Sequence, residues 1–268
     1  MKYLRQSIYY GNKCHVEEHA APAFGKNRQR PPRKADTTKE QEKLNDEHAA
    51  KRLRMKIVCN FIDHEDIFFT LEHSLGVKEE QVKKARTVFL DEMRKFFQKQ
   101  GKELKYIWVT EKQGCWHHHM IMSKTDLDTI RKFWKKATEG MRREKENRVV
   151  LSPLDPFDEY RGLAKYLIEP EKPSRKENPT PEEMINAKQK RRKGARRYSC
   201  SKNLEKPVIE TKEIKRITKT EPKPPKGYKL LDWNKWCDSF GEMHAQYDCV
   251  WASPGSPPKK RKKVRKRE

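Results

Sequence analysis

The middle of the chain alternates between two spacings of apolar residues, and each spacing predicts a different kind of element. Short runs rich in β-branched and aromatic residues predict five strands, at residues 55–61, 66–72, 104–111, 117–122 and 148–152. Apolar residues three and four positions apart predict three helices, at residues 78–102, 126–140 and 158–169. Because hairpins dominate this order, we predict an α+β fold, a largely antiparallel five-stranded sheet with helices packed on it.

The segments on either side of this core lack such patterns. Residues 1–54 have little apolar content and are predicted to be weakly ordered, so the core spans 55–207, with a proline-rich and then basic flap at 170–197. Residues 208–252 are dense in aromatic side chains and predict a small C-terminal packing unit. The tail, residues 253–268, is predicted to be disordered, since eight of its last ten residues are basic.

The composition adds a polyanionic partner to this picture. Of the 268 residues, 38% are charged and 34% hydrophobic, and the formal net charge at pH 7 is +24. A charge of this size favours binding to the phosphate backbone of nucleic acid, although it can also serve solubility alone. The six cysteines form no C-x-x-C pair. Neither a signal peptide nor an apolar run of membrane-spanning length is found, so we expect an intracellular protein without a membrane partner.

Three consecutive histidines at the start of the strand 117–122 are the most distinctive chemical feature. Side chains alternate between the faces of a strand, so His117 and His119 share one face and His118 takes the other. Glu111 ends the preceding strand and is expected to lie beside them. Two imidazoles and one carboxylate can bind a divalent ion and leave positions open for a substrate oxygen. The alternative is a hairpin whose histidines only stack or face solvent.

Three segments, in this order along the chain, resemble the HUH endonuclease superfamily. FFTLE at 68–72 resembles its first motif, HHH at 117–119 its His-hydrophobe-His motif with a histidine in the middle, and YRGLAKYLIE at 160–169 its third motif. Over about residues 55–207 the chain is similar, more narrowly, to bacterial and phage replication-associated proteins of the rolling-circle type. The resemblance implies the ferredoxin-like sheet of the superfamily and a metal-dependent activity that nicks and joins single-stranded DNA.

The resemblance also implies a nucleophilic tyrosine in the third motif, with a lysine three residues later. Tyr166 fits the tyrosine position, but Glu169 stands where the lysine is expected, so Lys165 or Lys172 would have to replace it. Helical geometry gives independent support, because Tyr160 belongs to the apolar stripe of this helix and Tyr166 projects away from that stripe. We therefore predict Tyr166 as the nucleophile and keep Tyr160 as the alternative.

The implied reaction is an attack of Tyr166 on a DNA phosphate, which forms a 5′-phosphotyrosine link and releases a 3′-OH. Mg²⁺ or Mn²⁺ held by Glu111, His117 and His119 would be the cofactor. The implied role is to initiate rolling-circle replication of a plasmid, phage or mobile element in the bacterial cytoplasm. Single-stranded origin DNA, a host helicase and a polymerase are the expected partners. The alternatives are a transposase or relaxase of the same superfamily, or a non-enzymatic, basic nucleic-acid-binding protein.

A basic run after the third predicted helix predicts contact with DNA phosphates, together with a lysine on that helix. The residues expected to bind DNA are Lys165, Lys190, Arg191, Arg192, Lys193, Arg196 and Arg197. The alternative is a solvated flap that touches no DNA.

Overall fold

The chain forms two compact units in the computed structural model, residues 1–36 with 206–268, and residues 37–205. The structure describes residues 2–21, 37–141, 147–152, 154, 156, 158–168, 196–237 and 241–257. The predicted α+β class is confirmed, since the described residues form two five-stranded antiparallel sheets and four helices.

The helices and strands are numbered here along the chain. They are β1 (Tyr3–Tyr10), β2 (Lys13–Ala20), α1 (Lys39–Asn60), β3 (Ile67–Glu72), α2 (Glu79–Lys99), β4 (Tyr106–Gln113), β5 (Cys115–Met122), α3 (Leu127–Ala137), β6 (Arg148–Ser152), α4 (Arg161–Ile168), β7 (Ser199–Cys200), β8 (Val208–Ile214), β9 (Tyr228–Cys237) and β10 (Met243–Trp251).

The smaller unit is one antiparallel sheet with the strand order β8-β1-β2-β10-β9. Its buried core consists of Tyr9, Cys14, Val16, Tyr228, Tyr247 and Cys249. Glu18 on β2 is also buried, and its charge is balanced there. Arg5 Nε donates a hydrogen bond to Glu18 Oε1 at 2.8 Å, and the Thr218 amide donates to Oε2 at 2.7 Å. Such pairing is what makes a buried carboxylate tolerable in a small core.

The prediction that residues 1–54 are weakly ordered is wrong where the structure describes them. Strands β1 and β2 pair with each other, and they also pair with β8 and β10 from the other end of the chain. The predicted C-terminal unit, residues 208–252, is therefore only part of a unit that also includes the N-terminal hairpin. Composition missed this unit because each of its strands carries few apolar residues. The tail beyond residue 257 and the flap at 170–195 lie outside the described residues.

The predicted strand at residues 55–61 is also wrong, because this segment is largely the end of α1. Ala49, Leu53 and Ile57 are spaced four apart and buried, as expected for the core face of a helix. Thr38 begins the helix by accepting a hydrogen bond from the amide of Gln41 at 3.2 Å. A short apolar run does not distinguish a strand from a buried helical segment. The fifth strand of the larger sheet is instead β7.

The larger unit packs helices on both faces of a sheet with the strand order β6-β3-β5-β4-β7. One face packs against α1 and α4 through residues such as Leu53, Ile121 and Leu167. The opposite face packs against α2 and α3 through residues such as Met120 and Trp134. Consecutive residues of the central strand β5 therefore enter different cores, which decides the surroundings of each histidine on that strand.

Candidate functional site

Strand β5 lies between β3 and β4, and its register brings two carboxylates to one histidine. Glu111 on β4 and Glu72 on β3 both pair with His117. Thr70 on β3 pairs with His119. Residues directly opposite each other in antiparallel strands have Cβ atoms about 4.5–5.5 Å apart. The face of the sheet toward α1 and α4 thus gathers two imidazoles, two carboxylates and a hydroxyl at its centre.

His119 is the more buried of the two histidines on this face, and both of its ring nitrogens have partners. Its Nε2 atom lies 2.8 Å from Glu111 Oε1, and its Nδ1 atom lies 2.9 Å from Thr70 Oγ1. His119 and Glu111 are both buried. Contacts on both sides of the ring hold the imidazole in one orientation, as outer contacts do for the histidine ligands of metal sites.

His117 lies beside His119, with ring centroids 6.3 Å apart and ring planes at 27°. Its Nε2 atom is 3.3 Å from Cys115 Sγ and 3.8 Å from Glu72 Oε1. Burial, and then the charge of Glu72, raise the pKa of the Cys115 thiol, so this thiol is protonated at neutral pH. A protonated thiol donates to an unprotonated Nε2, so His117 is in the tautomer whose Nε2 lone pair can bind a metal in place of the thiol.

His118 points to the opposite face, as the strand pattern predicts. It is fully buried, its Nδ1 atom is 2.8 Å from Thr110 Oγ1, and its ring packs against Trp134 on α3. His73 Nε2 lies 3.3 Å from His118 Nε2. Burial lowers the pKa of His118 well below its ordinary value, so the ring is neutral at pH 7. His118 therefore belongs to the core between the sheet and α3.

The two candidate tyrosines of α4 have different surroundings. The ring of Tyr166 meets His119 edge to face, with ring centroids 5.3 Å apart, and the residue is 42% exposed. Tyr160 is 2% exposed, packs in the core with α1, and donates a hydrogen bond from its hydroxyl to Asp63. Tyr166 is thus both accessible and in contact with the histidine face, whereas Tyr160 is buried in the core.

The start of α4 is tied to α1, which fixes the position of Tyr166 along the sheet. The Arg54 guanidinium donates to the Glu159 carbonyl at 3.2 Å and pairs with the Glu159 carboxylate. Glu159 and Tyr160 adopt φ values of 59° and 64°, in the left-handed region that few residues other than glycine occupy. Core packing of Tyr160 and the ion pair of Glu159 offset the cost of this backbone, which turns the chain into the helix.

The residues predicted to bind DNA are only partly described. Lys165 on α4 and Arg196 are exposed, and each can reach a phosphate. Arg197 Nε donates a hydrogen bond to Asp46 on α1, so this side chain stabilises the unit itself. Residues 190–193 lie outside the described residues.

The donors on this face suit a divalent ion in type, although they are not gathered around one point. Among the described side chains, no three of histidine, cysteine, aspartate and glutamate converge as a formed metal site. The 2.8 Å between Glu111 Oε1 and His119 Nε2 is nevertheless close to the spacing of two ligands of one ion. Ligands at right angles, each at about 2.1 Å from Mg²⁺, stand about 3 Å apart. His117 would have to turn from Cys115 and Glu72 to join them.

Sequence reasoning missed Glu72, Thr70 and Cys115 as members of this site. Their signal is the pairing of β3 with β5, which brings the end of FFTLE to the start of the histidine run. Neither spacing nor composition gives the register of two strands that are more than 40 residues apart in the sequence.

The side chains of this site come from β3, β4, β5 and α4, so one continuous stretch of sequence carries them. Residues 66–169 match the family model of the replication-associated protein ORF2. The predicted resemblance to replication-associated proteins is thereby confirmed for this segment, which is less than half of the chain. The match supports a part in replication initiation and an interaction with DNA.

Neither a curated protein nor a solved structure matches the chain. Among the helices of the described residues, none has the length and apolar character needed to cross a bilayer.

The unit is expected to lose stability as the pH falls from about 6.5 to about 4 because of His73. Burial, and then the charge of His117, lower the pKa of His73 from 6.5 to about 4. The unfolded chain therefore binds more protons than the folded chain between these values, so the free energy of unfolding decreases toward acid. The contribution of His73 is present above pH 6.5 and amounts to about 3 kcal/mol.

Urea denaturation at about pH 7 and about pH 4.5 measures this effect. His73→Phe keeps an aromatic ring but cannot titrate, so its free energy of unfolding should change less between the two pH values than that of the parent. Equal changes in the parent and the variant would contradict the account.

Proposed function

We propose that the unit 37–205 is a metal-dependent endonuclease and strand transferase for single-stranded DNA, which forms a 5′-phosphotyrosine link through Tyr166. In this proposal it initiates rolling-circle replication of a plasmid, phage or other mobile element. The observation that supports it most is the contact of the exposed Tyr166 ring with His119, whose Nε2 lies 2.8 Å from Glu111. All three residues lie within the segment that matches the replication-associated family.

The exposure of Tyr166 suits a nucleophile that must meet a macromolecular substrate. The phenol oxygen would bond to the scissile phosphorus while the bond from phosphorus to the 3′ oxygen breaks. The phenol loses its proton and the released 3′ oxygen gains one, so charge and protons balance. The new phosphotyrosine is itself a phosphodiester, and attack by a 3′-OH rejoins the strand without a nucleotide cofactor.

Glu111, His117 and His119 would hold Mg²⁺ or Mn²⁺ beside this tyrosine. The bound ion would supply stabilisation of the charge that develops on the phosphate oxygens. Thr70 keeps the His119 ring in place from its Nδ1 side, and Tyr166 packs against the same ring. The nucleophile is therefore positioned by the residue that would also bind the ion, which favours a fixed geometry between them.

The charge of the chain supports DNA as the substrate. The formal net charge is +24, and Lys165 is exposed next to Tyr166 on α4. A lysine at this point would bind a phosphate near the one attacked. Arg196 is a second exposed cation of the same unit. These contacts position the DNA backbone and do not read its sequence.

A covalent adduct assay with labelled DNA tests the proposal. The full chain is incubated with Mn²⁺ and a pool of single-stranded oligonucleotides that form hairpins with randomised loops. A label at the 3′ end should appear on the protein after denaturing electrophoresis, and a label at the 5′ end should appear on a shortened free strand with a 3′-OH.

Two other results would contradict this proposal. DNA binding without cleavage would favour the non-enzymatic nucleic-acid-binding protein. Cleavage without a protein-linked label would remove the tyrosine mechanism and leave hydrolysis by water.

A further inference from the structure

We propose that Glu72 is a further ligand of the divalent ion, so that the ion receives carboxylates from both strands that flank β5. The inference rests on the proposed function, because it concerns the same site. It assigns a role to a residue that the histidine motif and its preceding glutamate leave without one.

The register of the sheet makes Glu72 the counterpart of Glu111. Both residues pair with His117, one from β3 and the other from β4, and antiparallel partners project to the same face. Glu111 turns toward His119, with its Oε1 atom 2.8 Å from Nε2, whereas Glu72 turns toward His117. Each of the two histidines is thus matched with its own carboxylate.

The distance between Glu72 and His117 fits two ligands of one ion. Glu72 Oε1 lies 3.8 Å from His117 Nε2, beyond hydrogen-bond length. Two ligands, each at about 2.1 Å from an ion, stand between about 3 Å apart at a right angle and about 4.2 Å apart when opposed. A cation between these two atoms would bind the carboxylate oxygen and the imidazole nitrogen together.

A purely structural role for Glu72 has an obvious candidate partner, Arg148, which pairs with Glu72 on the outer strand β6. Arg148 is exposed, and the Glu72 carboxylate is instead directed to His117. The side chain of Glu72 is 28% exposed, compared with 8% for Glu111. Glu72 is therefore oriented toward the histidine and remains open enough for an ion to enter from solvent.

Two carboxylates also improve the charge balance of the site. With neutral imidazoles, Glu111 alone would leave a divalent ion with a formal charge of +1, and Glu72 would remove this excess. A second anionic oxygen donor also favours Mg²⁺ or Mn²⁺, which prefer carboxylate ligands, over softer ions. We therefore expect Glu72 to act mainly on the affinity for the ion.

Titration of the metal-free full chain with MnCl₂ in a calorimeter tests the role of Glu72 without any measurement of DNA cleavage. Glu72→Gln keeps the size of the side chain and removes its charge, and its Mn²⁺ dissociation constant should rise about ten- to a hundredfold. Glu80→Gln is the matched control, because Glu80 is exposed on α2, which packs on the opposite face of the sheet. Its affinity should equal that of the parent.

The outcomes separate this inference from the proposed function. If Glu111→Gln weakens Mn²⁺ binding and Glu72→Gln does not, the role of Glu72 is overturned and the proposed site remains. If the parent chain binds no Mn²⁺, both are overturned. Partial recovery of affinity in Glu72→Asp would support a ligand, since a shorter carboxylate keeps the charge. Thermal unfolding without metal should be similar in the parent and Glu72→Gln, which excludes loss of the fold as the cause.

Discussion

Replacement of Tyr166 by phenylalanine is expected to abolish both the nicking of single-stranded DNA and the covalent adduct. Phenylalanine keeps the ring that meets His119 edge to face and removes only the oxygen that would attack phosphorus. The side chain is 42% exposed, so the fold and the affinity for DNA should be unchanged. The measurement is the yield of protein-linked 3′-labelled DNA, beside a binding isotherm for the same oligonucleotides.

Tyr160→Phe is the matched control for this prediction. It removes a hydroxyl that donates to Asp63 and leaves a buried ring in the core with α1. Loss of one such hydrogen bond costs about 1 kcal/mol of stability and should leave nicking intact. Mass spectrometry of the trapped adduct locates the modified residue. A DNA-linked peptide modified at Tyr160 would reverse the assignment of the nucleophile.

Replacement of His119 by alanine is expected to lower the nicking rate about a thousandfold, because metal stabilisation of the transition state contributes several kcal/mol. DNA binding depends on the basic surface and should persist. The substitution also removes the contact of His119 Nε2 with the buried Glu111, so the free energy of unfolding should fall. His117→Ala should lower the rate in the same way with less cost to the fold, since His117 is only partly buried.

His118→Ala is the control that separates catalysis from packing. His118 faces α3, and its removal should cost about 2–5 kcal/mol of stability, as for other large buried side chains. The nicking rate per folded molecule, measured well below the unfolding temperature, should remain near that of the parent. A larger loss of nicking in His118→Ala than in His117→Ala and His119→Ala would contradict the division of the histidines between the two faces.

Much of the site was predictable because it depends on local periodicity. Alternation along one strand assigns His117 and His119 to one face and His118 to the other, and the structure has this arrangement. Helical periodicity separates Tyr160 from Tyr166, and the structure buries the first and exposes the second. These inferences need only the geometry of a single strand, hairpin or helix, which neighbouring residues decide.

The errors arose where an element depends on distant partners. Residues 55–61 form the end of a helix because Leu53 and Ile57 pack on the sheet through the same face as residues earlier in α1. The N-terminal hairpin is stable in the structure because it pairs with β8 and β10, from the other end of the chain. Glu72 joins the site through the pairing of β3 with β5.

The sequence by itself thus determined the α+β class, the faces of the histidines and the choice between the tyrosines. Only the tertiary structure decided the domain boundaries and the place of Glu72, because the register between distant strands is set by packing of the whole sheet.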